Sequence, residues 1–361
     1  MQYRGNRMLY VGSAYSRLWE KSAIGIICEG PGLLLTDSEV IFCREHRSID
    51  FEGLIDSESF SSWLKERIVI NDKVLLEAAI LEALRVPGNK VVLSENFASL
   101  NIESGQSWAM RWTSENHPSK TKPESEILWF ESKDSLHGDL DSGLSILESL
   151  LFWCVEVEQR GRIPEVLVID EEQSVVTYRL SEGNPFGEME ELTEDIIAEI
   201  SQLDRINLGS NGYFYPAITK WPLESIGIPL HGGRQLDTIE SEVIQSNDDN
   251  MSKSASILSD LWMRGLNTRS GFKYGTSWRC YSGEVGDSHA PWLVVDPTNE
   301  GPENWSEACL SSRLASGVNK KWLYPINDDG KWRYLQISRP PSDSRWSNPK
   351  ESKPLNRWLP I

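Results

Sequence analysis

Gly317-Val-Asn-Lys-Lys-Trp-Leu-Tyr-Pro-Ile326 can be written under Gly161-Arg-Ile-Pro-Glu-Val-Leu-Val-Ile-Asp170. Each opens polar and runs into apolar, β-branched or aromatic residues, which predicts a strand. Each is followed, past a polar turn, by a second such run. Val175-Val-Thr-Tyr178 comes after Asp170-Glu-Glu-Gln173, and Lys331 to Ile337 comes after Asn327-Asp-Asp-Gly330, which ends on a favoured hairpin dipeptide. Beyond the turns, Val176-Thr-Tyr-Arg-Leu-Ser181 sits against Trp332-Arg-Tyr-Leu-Gln-Ile-Ser338 with small gaps, and upstream Ile80-Leu-Glu-Ala-Leu84 parallels Ile257-Leu-Ser-Asp-Leu261. The chain reads as two diverged copies of one unit.

The elements around the two hairpins come in the same order. In the first half, apolar spacing at Val74, Leu75, Ala78, Ile80, Leu81 and Leu84 predicts a helix that Pro87-Gly-Asn89 ends. Strand-like apolar runs stand at Ser22 to Cys28, Leu33 to Arg44 and Lys90 to Leu93. A polar loop is expected over Ser114 to Glu126 and a helix over Leu144 to Gln159. In the second half a helix from Ala255 to Gly265 leads into strand-like Gly271 to Tyr281, then Trp292 to Val295, then a helix near Trp305 to Ala315. The expected fold class is α+β: two tandem repeats, each a small αβ N-terminal part followed by an αβ domain with a central mixed sheet. The expected boundaries are 1–95 and 96–185 for the first repeat, 186–265 and 266–340 for the second, and a tail over 341–361.

A chain of 361 residues exceeds one ordinary core, which stops growing near about 250 residues. With 39% hydrophobic and 25% charged residues the composition is globular and excludes wholesale disorder. No apolar run approaches the roughly 20 residues that span a bilayer, and the start lacks the apolar stretch of a signal peptide. A soluble, cytoplasmic protein with no membrane partner is expected. Cys28, Cys43, Cys154, Cys280 and Cys309 are odd in number and without CxxC spacing, which argues against a disulfide framework or a zinc site. The net charge of −18 speaks against nucleic-acid binding, because phosphates ask for Lys and Arg. Its distribution speaks less strongly: Leu261 to Ile361 holds 14 Lys and Arg against 10 Asp and Glu, whereas Met1 to Asp260 holds 22 against 44. A locally basic module rides on an acidic body.

The densest local signal is Asp260-Leu-Trp-Met-Arg-Gly265, Arg269-Ser-Gly-Phe-Lys-Tyr-Gly275, Trp278-Arg-Cys-Tyr281, Ser288-His-Ala-Pro-Trp-Leu-Val294 and Arg313-Leu-Ala-Ser-Gly-Val-Asn-Lys320. This ordered set resembles the catalytic domain of the archaeal and eukaryotic tRNA-splicing endonucleases, whose pattern runs roughly DLR.RG, GFKFG, F.VY, HS or HA before a strand, and R.A..V.K. The resemblance implies a nuclease-type αβ domain and a catalytic triad of Tyr281, His289 and Lys320. Lys321 is the neighbouring possibility, but it breaks the V.K spacing. It also implies excision of introns from precursor tRNA at bulge-helix-bulge sites with no metal and no cofactor, leaving 2′,3′-cyclic phosphate and 5′-hydroxyl ends.

The same residue types follow from the chemistry. Cleaving RNA without a metal uses the ribose 2′-hydroxyl as nucleophile, so the site needs a base for that hydroxyl, an acid for the departing 5′-oxygen and a cation for the phosphorane. Tyr281, His289 and Lys320 take those roles in that order. Tyrosine is only about 0.1% phenolate at neutral pH, so the base requires a cation beside it. A histidine acid must start protonated, and Asp287 or Glu284 are the candidates to hold that charge.

Arg313 stands where the family has an arginine that clamps splayed-out nucleotides beside the cut, and Trp332 or Arg333 is the candidate for the other side, since guanidinium and aromatic faces both stack on unpaired bases. Lys273 is read as strand support. In the first copy the written alignment puts Pro164 or Glu165 at the Lys320 position and leaves His117 as the counterpart of His289, so that copy is expected to be inactive. One inactive and one active unit in a chain resembles the duplicated architecture of archaeal homodimers, in which an acidic turn docks beside the partner's active unit. Asp170, Glu171 and Glu172 match that turn. The rival readings are a non-catalytic RNA-binding or assembly subunit and a related RNase acting on another structured RNA. The tail beyond Arg339 is read either as an extension of the RNA surface or as packing along the partner.

Overall fold

A computed structural model describes residues 3–103, 105–140, 144–216, 220–230, 232–246 and 250–340; the expected tail, 341–361, lies outside them. The chain mixes α and β and divides into two units, one of residues up to Asp134 with Phe152–Leu180, the other of Ser135–Leu151 with Ser181–Arg339. No helix among the described residues is long and apolar enough to cross a membrane.

The first unit opens with β1 (Tyr3–Arg4), β2 (Arg7–Tyr10), β3 (Ile26–Ile27) and β4 (Leu33–Leu35), an antiparallel sheet in the order β1-β2-β4-β3. α1 (Tyr15–Ser22) separates β2 from β3, and α2 (Asp37–Arg47), α3 (Ser57–Ile70) and α4 (Val74–Arg85) follow. α2 begins in a capping box, in which the Thr36 hydroxyl accepts from the Glu39 N–H and Glu39 Oε2 accepts from the Thr36 N–H. The other Glu39 oxygen accepts from the N–H of Gly25, which sits at φ +66 with a Cβ position only 2.7 Å from the Leu34 carbonyl oxygen. Glycine is therefore required there. Burial pushes the Glu39 carboxyl up, and the Arg85 guanidinium, 3.0 Å away, pulls it back.

β5 (Lys90–Leu93), β6 (Ala109–Trp112), β7 (Ser125–Glu131), β8 (Ile163–Ile169) and β9 (Val175–Gly183) then pair in chain order, antiparallel, antiparallel, parallel, antiparallel. The one parallel step needs a crossover, which α5 (Ile146–Gln159) supplies between β7 and β8. This sheet holds buried charge. Glu165 on β8 is met by both Arg111 Nε and Arg111 Nη2 at 3.0 Å, and Glu126 on β7 by Arg160 and Arg162 at 2.8 Å. Burial pushes the Glu126 carboxyl up, but hydrogen bonds from Arg160, Ser107 and Arg162 outweigh it and hold it below the usual range.

The second unit runs through α6 (Glu194–Ser201) into β10 (Ile206–Asn207), β11 (Tyr213–Pro216), β12 (Ile228–Leu230) and β13 (Gly233–Leu236), ordered β10-β11-β13-β12 and antiparallel throughout. α7 (Thr238–Gln245) begins in a capping box of Asp237 and Glu240, and Glu240 Oε1 accepts from Gly227, at φ +70. This repeats the Thr36, Glu39 and Gly25 arrangement, without an arginine bonded to the glutamate. Burial raises the Glu240 carboxyl to about 7. After α8 (Lys253–Met263) come β14 (Asn267–Ser270), β15 (Trp278–Tyr281), β16 (Trp292–Val294), the crossover α9 (Trp305–Gly317), β17 (Lys321–Asp328) and β18 (Lys331–Ser338). They too pair in chain order, antiparallel, antiparallel, parallel, antiparallel. The core beneath them includes Trp262, Cys280, Val294, Leu323 and Tyr334.

The helices expected near Val74, Leu144, Ala255 and Trp305 and both hairpins stand within a few residues of their expected places. The second hairpin turns on Asp329 and Gly330, at φ +47 and +83, the two positive values of a type I′ turn. Other expectations are corrected. Ser22 closes α1, so the run to Cys28 keeps only β3 as strand, and the run from Leu33 to Arg44 breaks at the Thr36 cap into β4 and α2. Gly271 to Tyr281 starts as a 3-10 turn over Phe272–Tyr274, and the polar loop after Ser114 gives way to β7 at Ser125.

Candidate active site

Tyr281 is the last residue of β15, with Trp278 and Cys280 turned into the core and Arg279 on the alternate face. The chain leaves β15 on a short excursion, held by the Val285–Ser288 bridge and by Gly286 at φ +114, and returns through His289 to β16. Lys320 is the residue before β17. Cys280 pairs with Trp292 and Trp292 with Lys321, so the end of β15 and the starts of β16 and β17 meet at one edge of the sheet. At about 4.8 Å per strand, the backbones of Tyr281 and Lys320 lie on the order of 10 Å apart, with the approach to β16 between them.

The side chains tie this edge together. Lys320 Nζ donates to the carbonyl of Ala290, the residue after His289, and lies 5.5 Å from the Tyr274 ring centre. The Arg279 guanidinium lies 5.9 Å from the ring centres of both Tyr274 and Tyr281, while its Nε donates to the Ser270 carbonyl. Tyr281, Arg279, Tyr274 and Lys320 thus form one row of alternating rings and cations. Tyr281 is 8% exposed and His289 stands open to solvent, and neither Asp287 nor Glu284 is hydrogen-bonded to it among the described residues. A buried phenol, an open imidazole and two cations can together hold and act on a phosphodiester. Arg279 and Tyr274 were missed as site residues in the sequence. Alternation along β15 put Arg279 on the face of Tyr281, which was the available signal.

Arg313 is exposed on α9, whose neighbouring Ser312 hydroxyl donates to the Ile337 carbonyl. Trp332 and Arg333 pair with Asn327 and Ile326, so at about 3.3 Å per residue they lie roughly 16 to 20 Å along the hairpin from Lys321. Trp332 is 9% exposed with its indole N–H on Ser256, and Arg333 is bonded to Glu182 and Asp328. Both are thus engaged by residues of the chain itself, away from the Lys320 end of the hairpin. Lys273 sits in the 3-10 turn rather than on a strand.

The first five-stranded sheet holds different residues in the same places. Lys320 N–H bonds to the Ala315 carbonyl and Lys321 N–H to that of Pro291; Arg162 N–H bonds to the Val157 carbonyl and Ile163 N–H to that of Glu124. The residue in the place of Lys320 is Arg162, not Pro164 or Glu165. By the same pairing, Trp112 takes the place of Tyr281 and Lys122 that of His289. Arg162 is committed to Glu126 and the Glu103 carbonyl. His117 is elsewhere, its ring between the Trp19 carbonyl and the Ser119 hydroxyl. In the turn after β8, Asp170 Oδ1 accepts from the N–H groups of Glu172 and Ser174, while Glu171 and Glu172 are exposed.

Residues 251–334 match the family model described as tRNA intron endonuclease, catalytic C-terminal domain. The chain is 30% identical over 171 residues to the tRNA-splicing endonuclease of Thermoplasma volcanium, covering 47% of this chain and 53% of that protein. It is 31% identical over 134 residues to the tRNA-splicing endonuclease of Picrophilus torridus, covering 37% and 44%. These two matches span about half the length of those relatives. With the tRNA-splicing endonuclease of Methanococcoides burtonii it is 23% identical over 341 residues, 85% of this chain and 90% of that protein.

Proposed function

We propose that this protein is an endonuclease that excises introns from precursor tRNA by metal-independent transesterification, working as a homodimer in the cytoplasm. The observation that carries the reading is the meeting of Tyr281, His289 and Lys320 at one sheet edge, inside the stretch that matches the intron endonuclease catalytic domain. Tyr281 takes the proton of the 2′-hydroxyl, and that oxygen attacks the adjacent phosphorus. His289 delivers a proton to the departing 5′-oxygen. Lys320 neutralises the charge that builds on the phosphorane, aided by Arg279. Arg313 grips nucleotides flanking the cut.

The two halves are one duplicated unit in this reading. Its support is the matched strand orders, the matched pairing patterns and the two capping boxes that each bond a left-handed glycine. The first copy is inactive, because Trp112, Lys122 and Arg162 offer no acid and base pair. The acidic turn after β8 docks on the partner chain through Glu171 and Glu172, with Asp170 shaping the turn.

Purified protein incubated with an intron-containing precursor tRNA in EDTA is expected to release the intron with 2′,3′-cyclic phosphate and 5′-hydroxyl ends. Loss of cutting in EDTA, or 3′-hydroxyl ends, overturns the mechanism. An uncut precursor in every buffer favours a non-catalytic subunit, and an uncut precursor beside another cleaved RNA favours a different RNase.

Changing Asp170, Glu171 and Glu172 together to Ala is expected to shift the particle from dimer toward monomer in sedimentation and to slow cleavage. A dimer and a rate that both survive intact remove the docking role. Asp170→Ala alone separates loss of turn shape from loss of charge.

A further inference from the structure

The C-terminal turns of α2 and α4 bring together Glu45, His46 and Glu82, far in sequence from Tyr281 and outside the chemistry above. The His46 side chain is 6% exposed, that of Glu82 5% and that of Glu45 24%. His46 Nε2 is buried and has no hydrogen-bond partner. It lies 3.4 Å from Glu82 Oε2 and 3.6 Å from Glu45 Oε2, and the three candidate ligand atoms lie within 4.8 Å of one another. The imidazole is stacked on Phe42, with ring centres 5.0 Å apart and planes 30° apart, and Nε2 is its nitrogen within 4 Å of both carboxylates.

Those separations are too long for the charge-assisted bonds of an imidazolium, which close to about 2.7 to 2.9 Å. They match the edge of a tetrahedron, because ligands about 2.0 to 2.2 Å from a zinc ion stand roughly 3.3 to 3.6 Å apart.

We propose that Glu45, His46 and Glu82 bind one divalent transition-metal ion of the zinc class, with water as fourth ligand on the partly exposed Glu45 side. An imidazole nitrogen with two carboxylate oxygens suits zinc or cobalt better than magnesium, which asks for six oxygen ligands in an octahedron. The ion joins α2 to α4 and so acts on stability.

The test uses the full, tag-free chain stripped with EDTA. Zinc titration is expected to give one ion per chain and a melting temperature higher by on the order of 5 °C at saturation, and cobalt is expected to give the visible absorption of a tetrahedral ion. His46→Gln and Glu82→Gln are expected to abolish all three signals, Glu45→Gln to weaken binding at least tenfold, and His137→Gln, at an exposed site, to change nothing. Absence of binding by the native chain, or undiminished binding by folded His46→Gln, overturns the proposal. If His46→Gln fails to fold, Glu45→Gln decides: unchanged affinity overturns the site. Stripping the metal is expected to leave RNA cleavage intact well below the melting temperature, so this proposal and the cleavage mechanism fail separately.

Discussion

Replacing His289 with alanine is expected to slow cleavage of an intron-containing precursor tRNA by about a hundredfold to ten-thousandfold, the range that one proton-transfer partner supplies. His289 stands on the exposed return into β16 and takes part in no hydrogen bond or ion pair among the described residues, so its removal leaves folding unaffected. The melting temperature should therefore match that of the native chain while the single-turnover rate falls. Substrate affinity should change little, because in the proposed mechanism the imidazole acts on the departing oxygen rather than on the RNA backbone at large. Lys320→Ala is a different case. Its ammonium is held by the Ala290 carbonyl and the Tyr274 ring, so losing it removes a positioned charge worth about 3 kcal/mol in the transition state and also loosens the peptide that carries His289. Full native rate in His289→Ala would sink the assignment of the acid.

The parts of this fold that the sequence displays are those with a strong local rule. The two hairpins were readable because strand-like runs stand on both sides of short turns of acidic and polar residues, and the helices near Val74 and Ala255 because their apolar positions repeat with helical spacing. The small sheets were not readable, since β1, β3 and β10 are two-residue strands with no period to detect. Leu33 to Arg44 misled for another reason: an apolar run is ambiguous by itself, and the deciding residue is Thr36, whose hydroxyl caps α2. The candidate site stands in the sequence as a motif, and the fold puts Tyr281 at the end of β15, His289 three residues before β16 and Lys320 directly before β17. Arg279 was signalled only by strand alternation with Tyr281, and Tyr274 only by its packing against Arg279 and Lys320.

The alignment error at Lys320 has a physical cause. Writing Gly161 over Gly317 matched glycine to glycine, whereas the backbone matches Gly161 to Asn319: both are left-handed, at φ +71 and +55, and both precede the strand by one further residue. Asparagine is the commonest substitute for glycine in that conformation. Conformation, not residue identity, fixes the register there, and the two-residue shift turns an apparent Pro164 or Glu165 into Arg162.

Glu165→Ala is expected to destabilise the protein by about 3 to 5 kcal/mol, the cost of leaving one partner of a buried pair uncompensated. Glu165 is fully buried and meets Arg111 through two bonds of 3.0 Å and the Ser125 hydroxyl through one of 2.8 Å. Without it Arg111 keeps its bond to Glu124, a carboxylate that is 43% exposed and cannot compensate a charge buried in the sheet. At about 2 to 4 °C per kcal/mol for a domain of this size, the melting temperature should fall by roughly 6 to 20 °C. The other sheet says what restores it. By strand pairing, the places of Arg111, Ser125 and Glu165 are taken there by Cys280, Trp292 and Leu323, and Cys280 and Leu323 are core residues. The same frame therefore accommodates an apolar pair, and the double variant Arg111→Cys with Glu165→Leu is expected to recover most of the loss, since it removes the buried guanidinium, while Arg179, 3.8 Å from Glu165, is 26% exposed and reaches water. A double variant no more stable than Glu165→Ala would mean that the pair holds this sheet together, and that its strands need the charges the other sheet dispenses with.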